Sequence, residues 1–385
     1  MRATPIASAI WLWASPEAAT AIATRDLPTI LRTYRRLNGL SQIGLAELLG
    51  YDKSYVSMIE TGRRAISDIA TRRHIATRLA IPAHVLGVTG TDDAEYQAML
   101  QFGDSTVRLA DIARQAGHAV EAVNELWPLV ARLEARAAEG HFERDSLILL
   151  AQARVALGVS LGTVLPEERL ASAARWTGQA VNVAARLDDP RFYAHTLRMH
   201  GNELRKAGQL ESATTHLHQS LELSSEPPNQ GASLAFLARA SGELGDRTQF
   251  DAALAAYRNL LERNTGSGLL FQPFTLREIY LRGLLRTGRA EEAGRIVHTT
   301  IGTPAAPQWH IIERVTAGEV LAHNHEPDAA EDAFRQAIRA GEQHRLPHQI
   351  QRIIRATTNT GMRELAAEAV AALQRLRGLL GHRTA

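Results

Sequence analysis

The stretch Leu40–Arg64, LSQIGLAELLGYDKSYVSMIETGRR, constrains this chain more than any other. It reads as two short helices joined by a tight turn. Ser41 offers a hydroxyl to cap the first helix, which carries Leu45, Leu48 and Leu49 at helical spacing and ends at Gly50. Asp52 is expected to cap the second, where Val56 and Ile59 form an apolar stripe only two residues deep. So narrow a stripe anchors one side of the helix and leaves the other free. The free side carries Lys53, Ser54, Tyr55, Ser57, Met58 and Thr61, a mixture of hydrogen-bonding and adaptable apolar groups suited to base edges and phosphates. Such a pair of helices can set the second into a DNA major groove.

Flanking helices complete a five-helix module. One spans about Pro28 to Asn38 with Ile30, Leu31, Tyr34 and Leu37 inward. A fourth starts near Ser67 with Ile69, Ile75, Ala76 and Leu79 inward, and a short fifth follows Pro82. The polar, turn-rich run from Gly87 to Glu95 is read as a linker. The organisation expected is an arm over 1–24, a DNA-binding domain over 25–90 and a helical-repeat domain over 91–385.

At Gly39-Leu40-Ser41-Gln42, Leu45-Ala46 and Ser54-x-x-Ser57-x-Ile59-Glu60-x-Gly62 the chain resembles the lambda-repressor-like (Xre/Cro) helix-turn-helix family. The resemblance runs from about Leu27 to Gly87. It implies that Gln42 contacts DNA at the start of helix two, that Lys53, Ser54 and Met58 read bases, and that Thr61, Arg63 and Arg64 hold the backbone. It also implies an internal ion pair between Arg35 and Glu60. Tyr55 either packs on the sugar backbone or covers helix two. Met58 departs from the polar residue common at its position, so a thymine methyl is its expected contact.

Charge placement agrees with a nucleic-acid partner. The net charge of +2 is uninformative, but ten basic against five acidic residues between Arg25 and Gly87 give +5 there and leave −3 elsewhere. The absence of cysteine excludes disulfides, thiol catalysis and cysteine-bound metals, and is compatible with a reducing cytoplasm. The run Ile6–Ala14, with Trp11 and Trp13, follows only Arg2 and is broken by Ser8, so a signal peptide is not expected. Ser15-Pro16-Glu17 instead starts a small helix, with the tryptophans packed on the following domain or on a partner subunit. No stretch looks close to the ~20 apolar residues of a membrane span.

Beyond Ala98 the chain looks helical and repetitive. In Ala194–Glu226, Gly201, Gly208, Ala213 and Leu217 recur at fixed offsets; Gly318, Ala330, Phe334 and Ala337 match them, and Gly288, Ala293 and Val297 match the second half. Looser copies occur at Gly117–Leu129, Ala173–Ala180 and Phe250–Leu260. The pattern resembles a tetratricopeptide repeat, a helical hairpin of about 34 residues, and about six hairpins are expected. The fold class expected is all-α: a lambda-repressor-like five-helix domain followed by a tetratricopeptide-type α-solenoid, with an irregular helical bundle as the plainer alternative. The seam Met362, Ala366, Ala369, Leu373, Leu376 and Leu380 suits a helix capping the last repeat better than a coiled coil.

In such repeats the first helix of each hairpin lines the concave face. The spacing places Arg198, Asn202, Arg205, Arg239, Glu278, Arg282, Arg286, Glu319 and His323 there. An amide among guanidiniums could clamp an extended peptide, Asn202 on its backbone and the arginines on its carboxylates. The same charges also suit a solvated face crossed by internal ion pairs. The combination resembles peptide-sensing helix-turn-helix regulators of the RRNPP type, which implies a small signalling peptide as ligand.

No GxxxxGK[ST], HExxH or GxSxG motif is present, so an enzyme is not expected. His216/His218 and His323/His325 lie two apart on helices and face different ways, so no metal or other cofactor is expected. The expected protein is a cytoplasmic homodimeric regulator of an operator in double-stranded DNA. Its rivals are a constitutive repressor whose repeats only dimerise or recruit a protein, and a phosphatase-like or scaffold protein with a vestigial DNA module.

Overall fold

The computed structural model describes residues 13, 16–81, 85–88, 94–138, 144–264, 268, 270–299 and 306–381. The regular structure among them is helical throughout. By internal packing the chain divides into two compact units: Met1–Thr106 with Asn124–Leu150 and Arg377–Ala385, and Val107–Val123 with Ala151–Leu376.

The first unit begins with α1 (Pro16–Ala23), α2 (Leu27–Leu37), α3 (Gln42–Leu49), α4 (Lys53–Glu60) and α5 (Ile69–Leu79). Local signals set the boundaries. Asp26 accepts from the Thr29 amide at the start of α2, and Ser41 Oγ accepts from the Gly44 amide at the start of α3. Gly50 closes α3 at φ 71°, a left-handed conformation that glycine adopts without strain. Ile30, Leu31, Leu45, Leu49, Val56, Ile59, Ile75 and Leu79 form one core, as the spacing predicts.

Two expectations for this unit need correction. Asp52 stands at the N-cap of α4 but makes no side-chain cap bond. Ile69 lies exposed, and Ile66, in the preceding loop, fills the core instead. α5 starts near Ser67 as expected, with Asp68 as its cap through the Thr71 amide, so Ile69 falls on its first residue. Trp13 is buried: its indole Nε1 donates to Leu79 O at 2.9 Å and its ring stacks on Tyr34 at 5.6 Å. It therefore packs on the domain that follows. Of the short helix expected after Pro82, residues 85–88 are described and form a tight turn that buries Val85, Leu86 and Val88 in the same core. Trp11, the rest of the run Ile6–Ala14, residues 82–84 and residues 89–93 of the linker lie outside the described residues.

The chain continues through α6 (Ala94–Gln115), α7 (Ala119–Ala138) and α8 (Arg144–Val164). α8 is long and apolar enough to cross a membrane by composition alone, contrary to the sequence reading. Of its apolar window, 67% is buried inside the protein, as in the core helix of a globular chain.

The second unit is a run of antiparallel hairpins. A 3-10 turn (Glu167–Arg169) leads into α9 (Leu170–Ala184), and α10 (Pro190–Lys206) packs on α11 (Leu210–Leu223). Next come α12 (Pro227–Leu244) with α13 (Arg247–Arg263), α14 (Pro273–Arg286) with α15 (Ala290–Val297), and α16 (Pro307–His323) with α17 (Pro327–Gln343). The series ends with α18 (Pro347–Asn359) and α19 (Arg363–Gly381). The small residues do what their offsets suggested. A Cβ on Gly201 would lie 2.7 Å from Leu217 Cγ, and one on Gly318 2.7 Å from Phe334, so both hairpins close only around glycine. Leu365, Ala369, Leu373 and Leu376 of α19 are buried in the same core as α17 and α18, which makes α19 a cap on the last repeat.

Two features give this unit a protected interior. Every residue from Gly231 to Gly242 in α12 is buried. The 3-10 turn at the start of the run also meets α18 near its end: Gln351 Oε1 accepts from the Glu167 amide at 2.9 Å, Gln351 Nε2 donates to Glu168 at 2.9 Å, and Arg355 pairs with Glu167.

Candidate nucleic-acid interface and buried polar cluster

α4 is held from one side only. Val56 and Ile59 are wholly buried, while Lys53, Ser54 and Met58 are exposed, as are Thr61, Arg63 and Arg64 in the loop that follows. Gly62 at φ 72° turns the chain, the Arg64 amide donates to Met58 O at 3.1 Å, and Thr61 Oγ1 donates to Ser57 O at 2.8 Å. Both arginines are thereby displayed beside the helix. The Arg64 guanidinium lies 4.6 Å over the Tyr55 ring, which rests 4.9 Å from Tyr51. Tyr55 and Ser57 are half-buried.

Beneath this surface Glu60 is buried and accepts two bonds, from Arg35 Nε at 2.8 Å and from Gln42 Nε2 at 2.7 Å. The ion pair between α2 and α4 is thus present, and Gln42 joins it from the first residue of α3. A half-buried Gln42 fixed in this way presents the start of α3 at a set angle to α4. Arg72 is likewise used internally, donating to Ile66 O at 2.6 Å and Leu86 O at 3.2 Å. The basic groups left on the open side of the module include Lys53, Arg63 and Arg64. Ile43, 52% exposed next to Gln42, is an apolar group that the sequence reading did not single out. Its exposure is the only sign of a role, because its residue type reads as core.

In the second unit the residues expected on the first helices of the hairpins divide. Arg198, Asn202, Arg205, Arg239, Glu278, Arg282 and Glu319 are all buried. Arg286 and His323 lie exposed at the C-terminal ends of α14 and α16; Arg286 reaches Glu319 only at 3.9 Å, and His323 Nδ1 contacts its own helix at Glu319 O. The buried ones bond chiefly to each other. Arg205 Nη1 meets Glu243 at 2.6 Å, Arg239 Nη2 meets Glu278 at 2.7 Å, and Arg282 reaches Glu278 at 2.7 Å and Glu243 at 3.4 Å. Arg352 donates to Glu319 through Nε and Nη2 at 2.9 and 2.6 Å, a bidentate pair, and to Thr316 at 2.8 Å. Arg198 stands apart, on His195 and Asn229.

Glu243, Thr316 and Arg352 belong to this cluster and were not foreseen. A signal existed: Arg205–Glu243, Arg239–Glu278 and Arg352–Glu319 are 38, 39 and 33 residues apart, about one repeat, so each pair joins equivalent turns of successive first helices. The electrostatics follow from burial. Burial pushes the Glu278 carboxyl up, but Arg239, Arg282 and Arg352 outweigh it and hold the group at about 2. Burial lowers Arg239 to about 9 against the opposing pull of Glu278. Among the described residues no group of histidines and carboxylates has the form of a metal site.

Comparison with known proteins gives one sequence match and two structural likenesses. The helix-turn-helix family model matches residues 31–69, which span α2 to the start of α5. No curated protein matches the chain. Among solved structures, the chain is similar to Bacillus thuringiensis PlcR in complex with the peptide PapR7 and DNA, at 17% identity and a TM-score of 0.30, covering 83% of this chain and 95% of that one. It is also similar to a circular tandem repeat protein, at 14% identity and a TM-score of 0.20, covering 99% and 97%. The family match falls on the segment whose packing leaves α4 polar and open, and residues 31–69 are therefore a helix-turn-helix DNA-binding domain of the Xre type.

Proposed function

We propose that this chain is a cytoplasmic, sequence-specific transcription regulator whose grip on its operator is modulated by a ligand held in the repeat domain. In this reading 25–90 serves as the reader and 91–385 as the sensor and dimerisation domain, and the chain has no catalytic activity. The observation that carries it is the exposure of Lys53, Ser54, Met58, Arg63 and Arg64 around a helix anchored by Val56 and Ile59. Lys53, Ser54 and Met58 read base edges, Gln42, Tyr55 and Ser57 orient the helix, and Thr61, Arg63 and Arg64 hold phosphates. Two copies read half-sites centred about 34–36 Å apart or a multiple of it. The ligand is a short signalling peptide whose backbone meets Asn202 and whose carboxylates meet the arginines. Its binding alters repeat curvature and with it the spacing of the two readers.

The test is a gel shift with the DNA upstream of the gene, at graded salt, with light scattering on the bound species. A retarded dimeric complex that weakens steeply with salt is expected. Equal affinity for scrambled DNA, or a monomer on the operator, ends the respective half of the reading.

A second reading is favoured by the mutual pairing of Arg205 with Glu243, Arg239 with Glu278 and Arg352 with Glu319, since groups so engaged can be structural. The chain is then a constitutive repressor whose repeats serve only dimerisation or recruitment. Calorimetric titration with candidate peptides separates the two: the sensor takes up one of them, and operator affinity changes with occupancy.

A further inference from the structure

The buried cluster between α10, α12, α14, α16 and α18 does not balance. Arg205, Arg239, Arg282 and Arg352 face Glu243, Glu278 and Glu319, so one cation is in excess within a protected interior. Nearby Lys206 leaves the surplus unchanged, because Glu203 matches it at 2.8 Å. An uncompensated charge away from water is costly, and proteins ordinarily pair such groups.

Hydrogen bonding has the same imbalance. Arg239 Nε, Arg282 Nε and Arg352 Nη1 are buried N–H groups with no partner, on side chains each under 10% exposed. His348 Nδ1 and the buried Gln349 Oε1, both on α18, are also without partners. The guanidiniums on α12, α14 and α18 therefore each keep a donor unused, while another N–H of each meets a glutamate. Orphaned donors of this kind cost about 1–3 kcal/mol each when left dry, so their recurrence in one place needs an occupant.

Resting on the reading of the repeat domain as a sensor, we propose that this cluster is an anion-binding site. Its ligand carries a carboxylate or phosphate group that neutralises the extra cation and accepts from Arg239, Arg282 and Arg352. The chemistry shared by the two sources is a planar or tetrahedral oxyanion with several acceptor lone pairs, matched by the guanidinium fork. The ligand's anionic end, rather than its apolar side chains, is what the repeat recognises.

The experiment uses the full-length protein at constant ionic strength, with inorganic phosphate, succinate and neutral succinamide as probes in thermal-shift and calorimetric titrations. Saturable uptake of phosphate or succinate with a raised Tm, and none of succinamide, is expected. Phosphate alone identifies a phosphoryl ligand, and succinate alone a carboxylate. Arg239→Gln removes the surplus charge while Arg282 still serves Glu278. It should fold with unchanged or higher Tm and lose at least about tenfold in anion affinity. Gln349→Leu, which leaves every ion pair intact, should keep the anion. No saturable anion uptake, equal uptake of succinamide, or an Arg239→Gln protein that binds as well as the parent overturns the proposal. Operator affinity is measured separately on the same samples. Anion binding with unchanged operator affinity sinks the sensor reading and leaves the site standing, whereas modulation by a neutral peptide alone does the reverse.

Discussion

At the scale of single residues, the reader rests on Glu60. A buried carboxylate receiving Arg35 and Gln42 joins α2, α3 and α4 at one point, so it sets the angle at which α4 is displayed. Glu60→Ala leaves the half-exposed Arg35 without its partner and should destabilise the first unit by about 2–3 kcal/mol, read by urea denaturation. The solvent-facing residues behave differently. Arg63→Ala or Arg64→Ala should weaken binding to every DNA sequence alike and lower the salt slope by about one. Lys53→Ala should instead relax discrimination between operators, with a smaller change in the slope. A uniform, sequence-independent loss from all three would show that they share one role. These positions were legible because a two-residue stripe has only one way to face. Gln42 and Ile43 were harder, since a polar residue that braces a neighbour and an apolar one left outside look alike to periodicity.

At the scale of the element, the hairpins depend on a glycine where the helices touch and a left-handed residue where the chain turns. Gly208 has φ 78°, whereas the equivalent position seven residues after Gly318 is His325, also left-handed at φ 60°. An L side chain there is strained by about 1 kcal/mol, so His325→Gly should raise unfolding stability by up to about that amount, read by thermal denaturation. Gly201→Val should do the opposite by about 2–3 kcal/mol, because its branched Cβ meets Leu217 and the Ala213 carbonyl. The repeats were readable wherever glycine and alanine keep these offsets. The polar cluster was readable only in part: a sequence shows which arginines share the first helices but not that glutamates one repeat away will consume them. Arg352 was missed because α18 has no glycine to mark it as a first helix.

At the scale of the whole molecule, the two units differ in how they keep charge, and pH should separate them. Within the second unit Glu278 is held at about 2 against an ordinary 4.5, its burial outweighed by Arg239, Arg282 and Arg352. Its depressed value means that its contribution is complete above pH 4.5 and is lost as pH falls from there toward 2. Three histidines act in the same direction but sooner, among them His200, lowered to about 4 by burial and then by His216. His195 is lowered to about 4, by burial and then by Arg198 against the opposing effect of Asp111. His348 is lowered to about 3, by burial and then by Lys206, Arg205, Arg282 and Arg352. All start from 6.5, so the folded unit binds fewer protons than the unfolded chain below that pH, and stability falls as pH drops. For half-buried rings the loss by pH 5 is on the order of 1 kcal/mol each. In the reader, the Arg35–Glu60 pair is the comparable buried link. Denaturation followed at both pH 7 and pH 5 should therefore show the repeat unit losing stability while the reader holds. His348→Gln should recover part of the difference. A parallel loss in both units, or no rescue, would mean that the cationic interior around α18 does not govern the acid response.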